Sequence, residues 1–471
     1  MKIEQLYTKC LSQGSYYIIS DNEVAIIDPL RETNQYIEKA KKDNAKIKYV
    51  FETHFHADFV SGHVDLANKT NSTIIYGPNA ETEYPIYNAK DNEEFKLGKI
   101  TIKALHTPGH TLESTTYLVI DENGNNHSIF TGDTLFIGDV GRPDLAVSNN
   151  LTEIDLAGML YNSLRNKIMN LEDHVLVYPA HGAGSACGKN LSKETFSTLE
   201  NQKKTNYALR ENITKEMFVK ELLEGMPPPP QYFQKNALLN KSGYKPLDKV
   251  ITQSNNSIDI EEFYKLANSS EYLVLDVRHQ KDFINGHIPN SLFIGLNGTF
   301  APWVGTLIEN IDQKILLISE KGKEIEAITR LSRVGYDNCI GYLQGGFKSW
   351  KDKYGEEKVE SISSQSFVDN LKLNSIKIID VRRKSEYINK HIEGAKNITL
   401  SSLSNELINI SDTQDNYYIH CAGGYRSVIA ISILKAKGIH NVIDVAGGFG
   451  SILKTDLNLC CLLYKSQSPL D

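Results

Sequence analysis

The chain has 471 residues, a net charge of −7 at neutral pH and 23% charged residues; that is too long for one hydrophobic core and enough for about three domains. The acidic balance, without a dense Lys/Arg run, excludes a nucleic-acid partner. No apolar stretch reaches bilayer length and Met1-Lys2-Ile3-Glu4-Gln5 lacks a signal-peptide core, so neither membrane insertion nor export is expected.

The six cysteines, at 10, 187, 339, 421, 460 and 461, are sparse and irregular, which points to a reducing cytoplasm rather than a disulfide framework. Residues 1–230 are expected to form the first domain, where short apolar runs alternate with helical stretches and Cys10 reads as core. The run Tyr49-Val50-Phe51 predicts a strand that delivers His54, His56 and Asp58 at its end. Three more pieces follow in order. They are the turn His106-Thr107-Pro108-Gly109-His110, the strand end Phe130-Thr131-Gly132-Asp133, and a strand from Val175 running into His181. One isolated histidine is usually structural, but four ordered strand ends carrying His and Asp predict a metal site on a β-scaffold. In two-metal hydrolases built on such a motif the next residue is a histidine that helps hold the second metal; here it is Phe59, which has no lone pair to offer, so a single ion is expected. Two histidines and one carboxylate with open positions suit non-haem Fe(II).

Across this region the sequence resembles the metallo-β-lactamase superfamily, which implies an αββα sandwich. Within the superfamily it looks like the persulfide dioxygenases, whose iron is held by the first His of the HxHxD motif, the His of the TPGH turn and the Asp of the TGD strand. The resemblance therefore implies one Fe(II) on His54, His110 and Asp133, with His56, Asp58 and His181 around the metal as hydrogen-bonding supports. Many members carry histidine at the position of Phe59; its loss leaves the implied iron ligands intact and weighs against a glyoxalase-type hydrolase.

Beyond the TGD strand, Arg142 in Gly138-Asp139-Val140-Gly141-Arg142-Pro143-Asp144 is expected to order the loop around Asp133 or to meet an anionic substrate. Cys187 lies in a small-residue loop six residues after His181 and reads either as a persulfide relay near the entry path or as an inert half-buried thiol. Met226 and the four prolines after it predict a stiff extended segment, and residues 231–249 a linker.

The remainder contains a repeat. Leu273-Val274-Leu275-Asp276-Val277-Arg278 matches Ile376-Lys377-Ile378-Ile379-Asp380-Val381-Arg382, and Gln344-Gly345-Gly346-Phe347 matches Ala446-Gly447-Gly448-Phe449. Two small parallel α/β modules, 250–355 and 356–471, are expected. His287 and His391 recur with the repeat and read as structural, Cys339 as core, and Cys460-Cys461 as helix packing.

In the second module an apolar strand runs into Cys421-Ala422-Gly423-Gly424-Tyr425-Arg426, and a helix is predicted over residues 427–437. Inward N–H groups and a helix N-terminus there would favour a thiolate or a persulfide anion. The six-residue loop ending in Arg426, with Asp380-Val381-Arg382 and Gly447-Gly448-Phe449, resembles the rhodanese sulfurtransferases, implying Cys421 as nucleophile and Arg426 as its loop partner. In the first module the loop residue aligned with Cys421 is Glu320, which cannot carry sulfane sulfur, so that module is expected to be a catalytically degenerate spacer, docking surface or oligomer interface.

The fold class is thus α/β: a metallo-β-lactamase sandwich followed by two rhodanese-like domains. This order resembles the bacterial persulfide dioxygenase–rhodanese fusions. The resemblance implies Fe(II)- and O2-dependent oxidation of a low-molecular-weight thiol persulfide to sulfite, then sulfur transfer through a Cys421 persulfide to give thiosulfate. A homo-oligomer is expected. Two other readings stand beside it: a glyoxalase-type thioester hydrolase with an attached sulfurtransferase, and a non-enzymatic sulfur carrier.

Overall fold

A computed structural model describes residues 1–148, 150–373, 376–406 and 415–460, which fall into two compact units. The first takes in Met1–Ile251 together with Val304–Ile311 and Thr329–Asp337; the second holds Thr252–Trp303, Asp312–Ile328 and the described residues from Asn338 onward.

The first unit is built on two six-stranded sheets. One runs Lys2–Thr8, Gln13–Ser20, Glu23–Ile27, Lys46–Phe51, Thr73–Tyr76, Tyr87–Asn88; the other Ser197–Thr198, Leu176–Pro179, Asn126–Gly132, Thr115–Ile120, Ile100–His106, Glu94–Leu97. The period-2 alternation of strand side chains sorts residues between layers. Tyr16, Ile18, Ala25 and Ile27 face the inter-sheet core with Phe51, Ile102, Tyr117 and Phe130. Their neighbours Tyr17, Val24 and Ile26 turn outward to meet Tyr36 and Ala40 of the helix Asn34–Lys42. On the second sheet, Ile129 and Val177 pack against Leu156-flanking Ala157 and Leu160 of the helix Glu153–Ser163, started by a capping box between Thr152 and Asp155. The result is the expected αββα sandwich, each fully buried large apolar side chain contributing about 1.5–3 kcal/mol.

The stretch 231–249, expected as a linker, is helical over Phe233–Ser242 and buries Phe233, Asn236 and Asn240 within the first unit. A second helix, Leu247–Ser254, begins in it. Met226 and the four prolines after it form neither helix nor strand. Cys10 is not core: it sits half-buried in the turn after the first strand, where Arg333 Nη1 donates to its Sγ at 3.0 Å. A thiol beside a guanidinium in a turn obeys its polar partner rather than the strand pattern.

The second unit holds two five-stranded parallel sheets of the same order. They are Ser257–Ile258, Cys339–Leu343, Lys314–Ile318, Tyr272–Asp276, Leu292–Phe293, and Glu360–Ile362, Val442–Val445, Tyr417–His420, Lys377–Asp380, Lys396–Asn397. In both copies the Asp-x-Arg motif is a staple: Asp276 and Asp380 take bidentate bonds from Arg278 and Arg382, whose Nη2 also donates to Gly286 O and Lys390 O. Each guanidinium lies over a phenylalanine ring, Phe347 or Phe449. Cys339 is buried in a strand, and His287 and His391 donate Nδ1–H to the carbonyls four residues earlier. Cys460 corrects an expectation: it lies in a two-residue strand, Leu459–Cys460, whose backbone pairs antiparallel with His391–Ile392 in a two-stranded sheet rather than in a helix. Cys461 lies outside the described residues. Among the described residues no helix is long and apolar enough to cross a membrane.

Candidate metal centre and sulfur site

Strand ends bring His54, His110 and Asp133 together, each buried. Asp133 Oδ2 stands 3.4 Å from His110 Nε2 and 3.9 Å from His54 Nε2. Hydrogen bonds on the far side fix both tautomers. Thr53 Oγ1 donates to Asp28 Oδ2, so at 2.9 Å it accepts from His54 Nδ1, while His110 Nδ1 donates to the carbonyl of Arg142 at 2.7 Å. Both Nε2 atoms therefore present lone pairs to the same point. Burial, then the neighbouring His56, His110 and His181, hold the His54 pKa well below the ordinary histidine value, so it stays neutral and able to ligate.

Neither oxygen of Asp133 has a hydrogen-bond partner among the described residues, nor do Asp58 Oδ1 and His181 Nε2. Buried carboxylate oxygens without partners are costly, and a cation answers that cost. The donor set fits a metal ion.

Around it, His181 Nε2 lies 3.5 Å from Asp58 Oδ2 and 3.6 Å from Asp133 Oδ1. Burial opposes protonation of His181, but the carboxylates of Asp58 and Asp133 outweigh it and hold its pKa well above the usual value. His56 turns toward the buried acids, its Nε2 3.1 Å from Asp28 Oδ1 and 3.5 Å from Glu52 Oε2. Phe59 is fully buried, its ring centroid 4.4 Å from that of His56.

Arg142 is buried and spends its guanidinium internally, on Asp144 at 2.6 and 2.7 Å, Ala186 O and Pro227 O. What it gives the centre is its carbonyl, which orients His110. Gly141 must be glycine here: a Cβ would stand 2.1 Å from Asp133 O and 2.9 Å from His110 Nδ1. Cys187 is buried, its Sγ grouped with Asp133 and His181, and burial followed by Asp58 and Asp133 pushes its thiol pKa up.

Four supports carry no local sequence signal. Asn240, from the stretch after the prolines, donates to His56 O at 2.7 Å and Phe59 O at 2.8 Å and accepts from Ser61 N at 2.9 Å. Val60 N donates to Arg333 O at 2.7 Å. Arg31, fully buried, pairs with Asp337 at 2.6 and 2.7 Å. Glu52, fully buried, takes the Ser61 hydroxyl at 2.6 Å. Only the fold brings residues 31, 60, 240 and 333 to one loop.

In the second unit, Cys421 follows the strand Tyr417–His420 and is buried at the N-terminus of the helix Tyr425–Ala436. Gly424 N donates to Cys421 Sγ at 3.1 Å, and the helix dipole adds positive potential, both favouring an anionic sulfur. Arg426 is held by two bonds to Glu386, at 2.7 and 2.8 Å. Burial opposes the charge of each, but their mutual attraction raises the Arg426 pKa and lowers that of Glu386.

The strand register moves the first module's equivalent position. Ile318 pairs with Asp276 as His420 pairs with Asp380, so the residue in the place of Cys421 is Ser319, not Glu320. The loop from the strand Lys314–Ile318 to the helix Glu324–Ser332 is one residue longer than that from His420 to Tyr425, which shifts an alignment read from the helix side. A serine hydroxyl carries no sulfane sulfur either.

Comparison with known proteins agrees with these two constellations. The chain matches the metallo-beta-lactamase superfamily over residues 10–181 and the rhodanese-like domain over residues 259–353 and 363–455. It is 37% identical to a hydroxyacylglutathione hydrolase of Dictyostelium discoideum over 41% of this chain and 69% of that protein. It is 30% identical to the mitochondrial persulfide dioxygenase ETHE1 of Bos taurus over 46% of this chain and 78% of that protein. Among solved structures it is similar to a metallo-beta-lactamase from Staphylococcus aureus subsp. aureus COL, with a TM-score of 0.64 and 32% identity, covering 73% of this chain and 98% of that one.

Proposed function

We propose, from the premise that this chain belongs to the metallo-beta-lactamase superfamily and carries rhodanese-like domains, that it oxidises a low-molecular-weight thiol persulfide and passes a second sulfane sulfur to the product. The observation that carries this is the pairing of two sites in one chain. One is a buried two-histidine, one-carboxylate donor set at His54, His110 and Asp133; the other is Cys421 in a loop whose N–H and helix dipole favour an anionic sulfur.

Fe(II) on that triad would supply the chemistry that lets O2 react with a bound sulfur. The protein's own part is positioning. Thr53 and the Arg142 carbonyl keep both Nε2 lone pairs aimed at one point, and Asp133 brings the negative charge. In the balanced reaction RSSH, O2 and one water give RSH, sulfite and two protons. Cys421 thiolate then attacks the outer sulfur of a second persulfide, breaking its S–S bond and releasing RS−. Sulfite takes that sulfur from the Cys421 persulfide, leaving thiosulfate and the thiolate. Two sites in one chain raise the effective sulfite concentration at Cys421. Arg426 and Glu386 hold the loop that presents the sulfur.

A second reading, a thioester hydrolase, is favoured by one observation: Asp58 and His181 stand beside Asp133 Oδ1 as donors for another ion. The test is oxygen uptake by anaerobically purified, Fe(II)-loaded protein given glutathione persulfide, with sulfite and thiosulfate quantified. Uptake is expected to vanish in His110→Ala, and sulfite to accumulate without thiosulfate in Cys421→Ser. Zinc in place of iron, with S-lactoylglutathione cleaved and no oxygen consumed, would establish the hydrolase instead.

A further inference from the structure

The cleft over Cys421 is larger than a sulfur oxyanion requires and is not built by one module. It has a volume of about 400 Å3 and is lined by Arg383, Glu386, Tyr425 and Arg426 from the Cys421 module and by Thr299 and Trp303 from the preceding module, which carries Ser319 in the place of Cys421. That volume lies in the range of sites for small organic molecules. The two modules interlock at this point. Tyr425 of the catalytic loop donates its hydroxyl to Gly295 O at 2.6 Å, and its ring fills the space above Gly298, where a Cβ would stand 2.3 Å from Cζ. Phe293 N donates to Ser432 Oγ at 3.0 Å. The loop that ends in Tyr425-Arg426 is thus seated on the preceding module, and Trp303 is fixed relative to Cys421.

Charge narrows the ligand. Arg426 is neutralised by Glu386, whereas the exposed Arg383 meets that carboxylate only through its backbone N–H, at 3.0 Å, and its guanidinium is in no ion pair among the described residues. The cleft therefore offers a buried sulfur acceptor, an indole wall and one uncompensated guanidinium at its rim. An indole wall serves an organic body, and a free guanidinium serves a carboxylate.

We propose that the module with Ser319 in the place of Cys421 is part of the sulfur-transfer site, with Trp303 the specificity-determining residue for an organic persulfide donor whose carboxylate pairs with Arg383. This rests on Cys421 being the sulfur carrier. In the step, Cys421 thiolate attacks the donor's terminal sulfur, a new S–S bond forms at Cys421, the donor's own S–S bond breaks, and the donor leaves as a thiolate that takes a proton from water.

The test follows, without oxygen, the rate at which Cys421 of the full chain gains one sulfur atom by peptide mass spectrometry, with glutathione persulfide, cysteamine persulfide or thiosulfate as donor. Trp303→Ala should slow transfer from glutathione persulfide by roughly tenfold and from thiosulfate by less than about threefold, with Trp303→Phe restoring most of the rate. Arg383→Ala should abolish the preference for glutathione persulfide over cysteamine persulfide, which lacks a carboxylate. Equal losses with all donors in Trp303→Ala, or no loss, would overturn the proposal while leaving Cys421 as carrier. A wild-type protein that takes sulfur from no donor would overturn the carrier reading itself.

Discussion

Removing the carboxylate of Asp337 should destabilise the first unit far more than its place in a later module suggests. Arg31 is fully buried and makes four bonds: two to Asp337 at 2.7 and 2.6 Å, one to Ser332 O at 2.6 Å and one to Lys245 O at 2.8 Å. Asp337→Ala deletes two charge-assisted bonds and leaves a guanidinium without its counter-charge. Breaking a buried pair from one side costs about 3–5 kcal/mol, and two bonds to a charged group at about 1.5–3 kcal/mol each give about 3–6 kcal/mol, which overlaps it. The effect should reach the metal centre. The residues before Arg31 grip the ligand loop, since Ser61 Oγ and Gly62 N both donate to Pro29 O, and Val60 N is tied to Arg333 O. Urea unfolding followed by circular dichroism should show the first-unit transition at least about 1 M lower, with bound metal retained less well on dialysis. Replacing both partners by apolar residues of similar volume, Arg31→Met with Asp337→Leu, should recover most of the loss. A midpoint unchanged in Asp337→Ala, or a double variant no better than the single, would refute the reasoning.

Asn240→Ala leaves three buried backbone groups unpaired, at roughly 1–3 kcal/mol each, so metal content per chain should fall while the helix Phe233–Ser242 still forms; full metal loading would count against Asn240 as a support. Phe59→His, placing an imidazole against His56, which is grouped with Asp58 and His181, should raise metal analysis from one ion toward two per chain, whereas a ratio already at two in the wild type would show that Phe59 does not limit the site. Burial, partly offset by the Phe283 carbonyl and Glu357, lowers the His287 pKa to about 4. The unfolded chain takes up that proton near pH 6.5, so the second unit should lose stability as pH falls from about 6.5 toward 4, by up to about 1.4 kcal/mol per unit. His287→Gln should flatten that slope, and an unaltered acid limb would sink the assignment.

Much of the chemistry was legible along the chain because strand ends announce themselves. An apolar run stopping at His54, Asp133, His181 or Cys421 places a reactive side chain where sheets end, and the Asp-x-Arg repeat at 276 and 380 revealed two copies of one module. The loops and the seams were another matter. Ser319 rather than Glu320 stands opposite Cys421 in the repeat, because one extra loop residue shifts an alignment that only strand register resolves. Cys10 and Cys460 are placed by an arginine and a short strand far away in sequence.

Residue type and local pattern carried the strand-end His and Asp groups, the parallel α/β repeat and the sulfur loop, since periodicity and ligand chemistry are local properties, while resemblance to known families implied the αββα sandwich and singled out His54, His110 and Asp133. Tertiary structure alone decided what holds them. Asn240 under the HxHxD loop, Arg31 locked to Asp337 and Trp303 beside Cys421 join residues 118 to 306 positions apart. A buried polar group must find its partner wherever the fold brings one, and no local pattern records that distance.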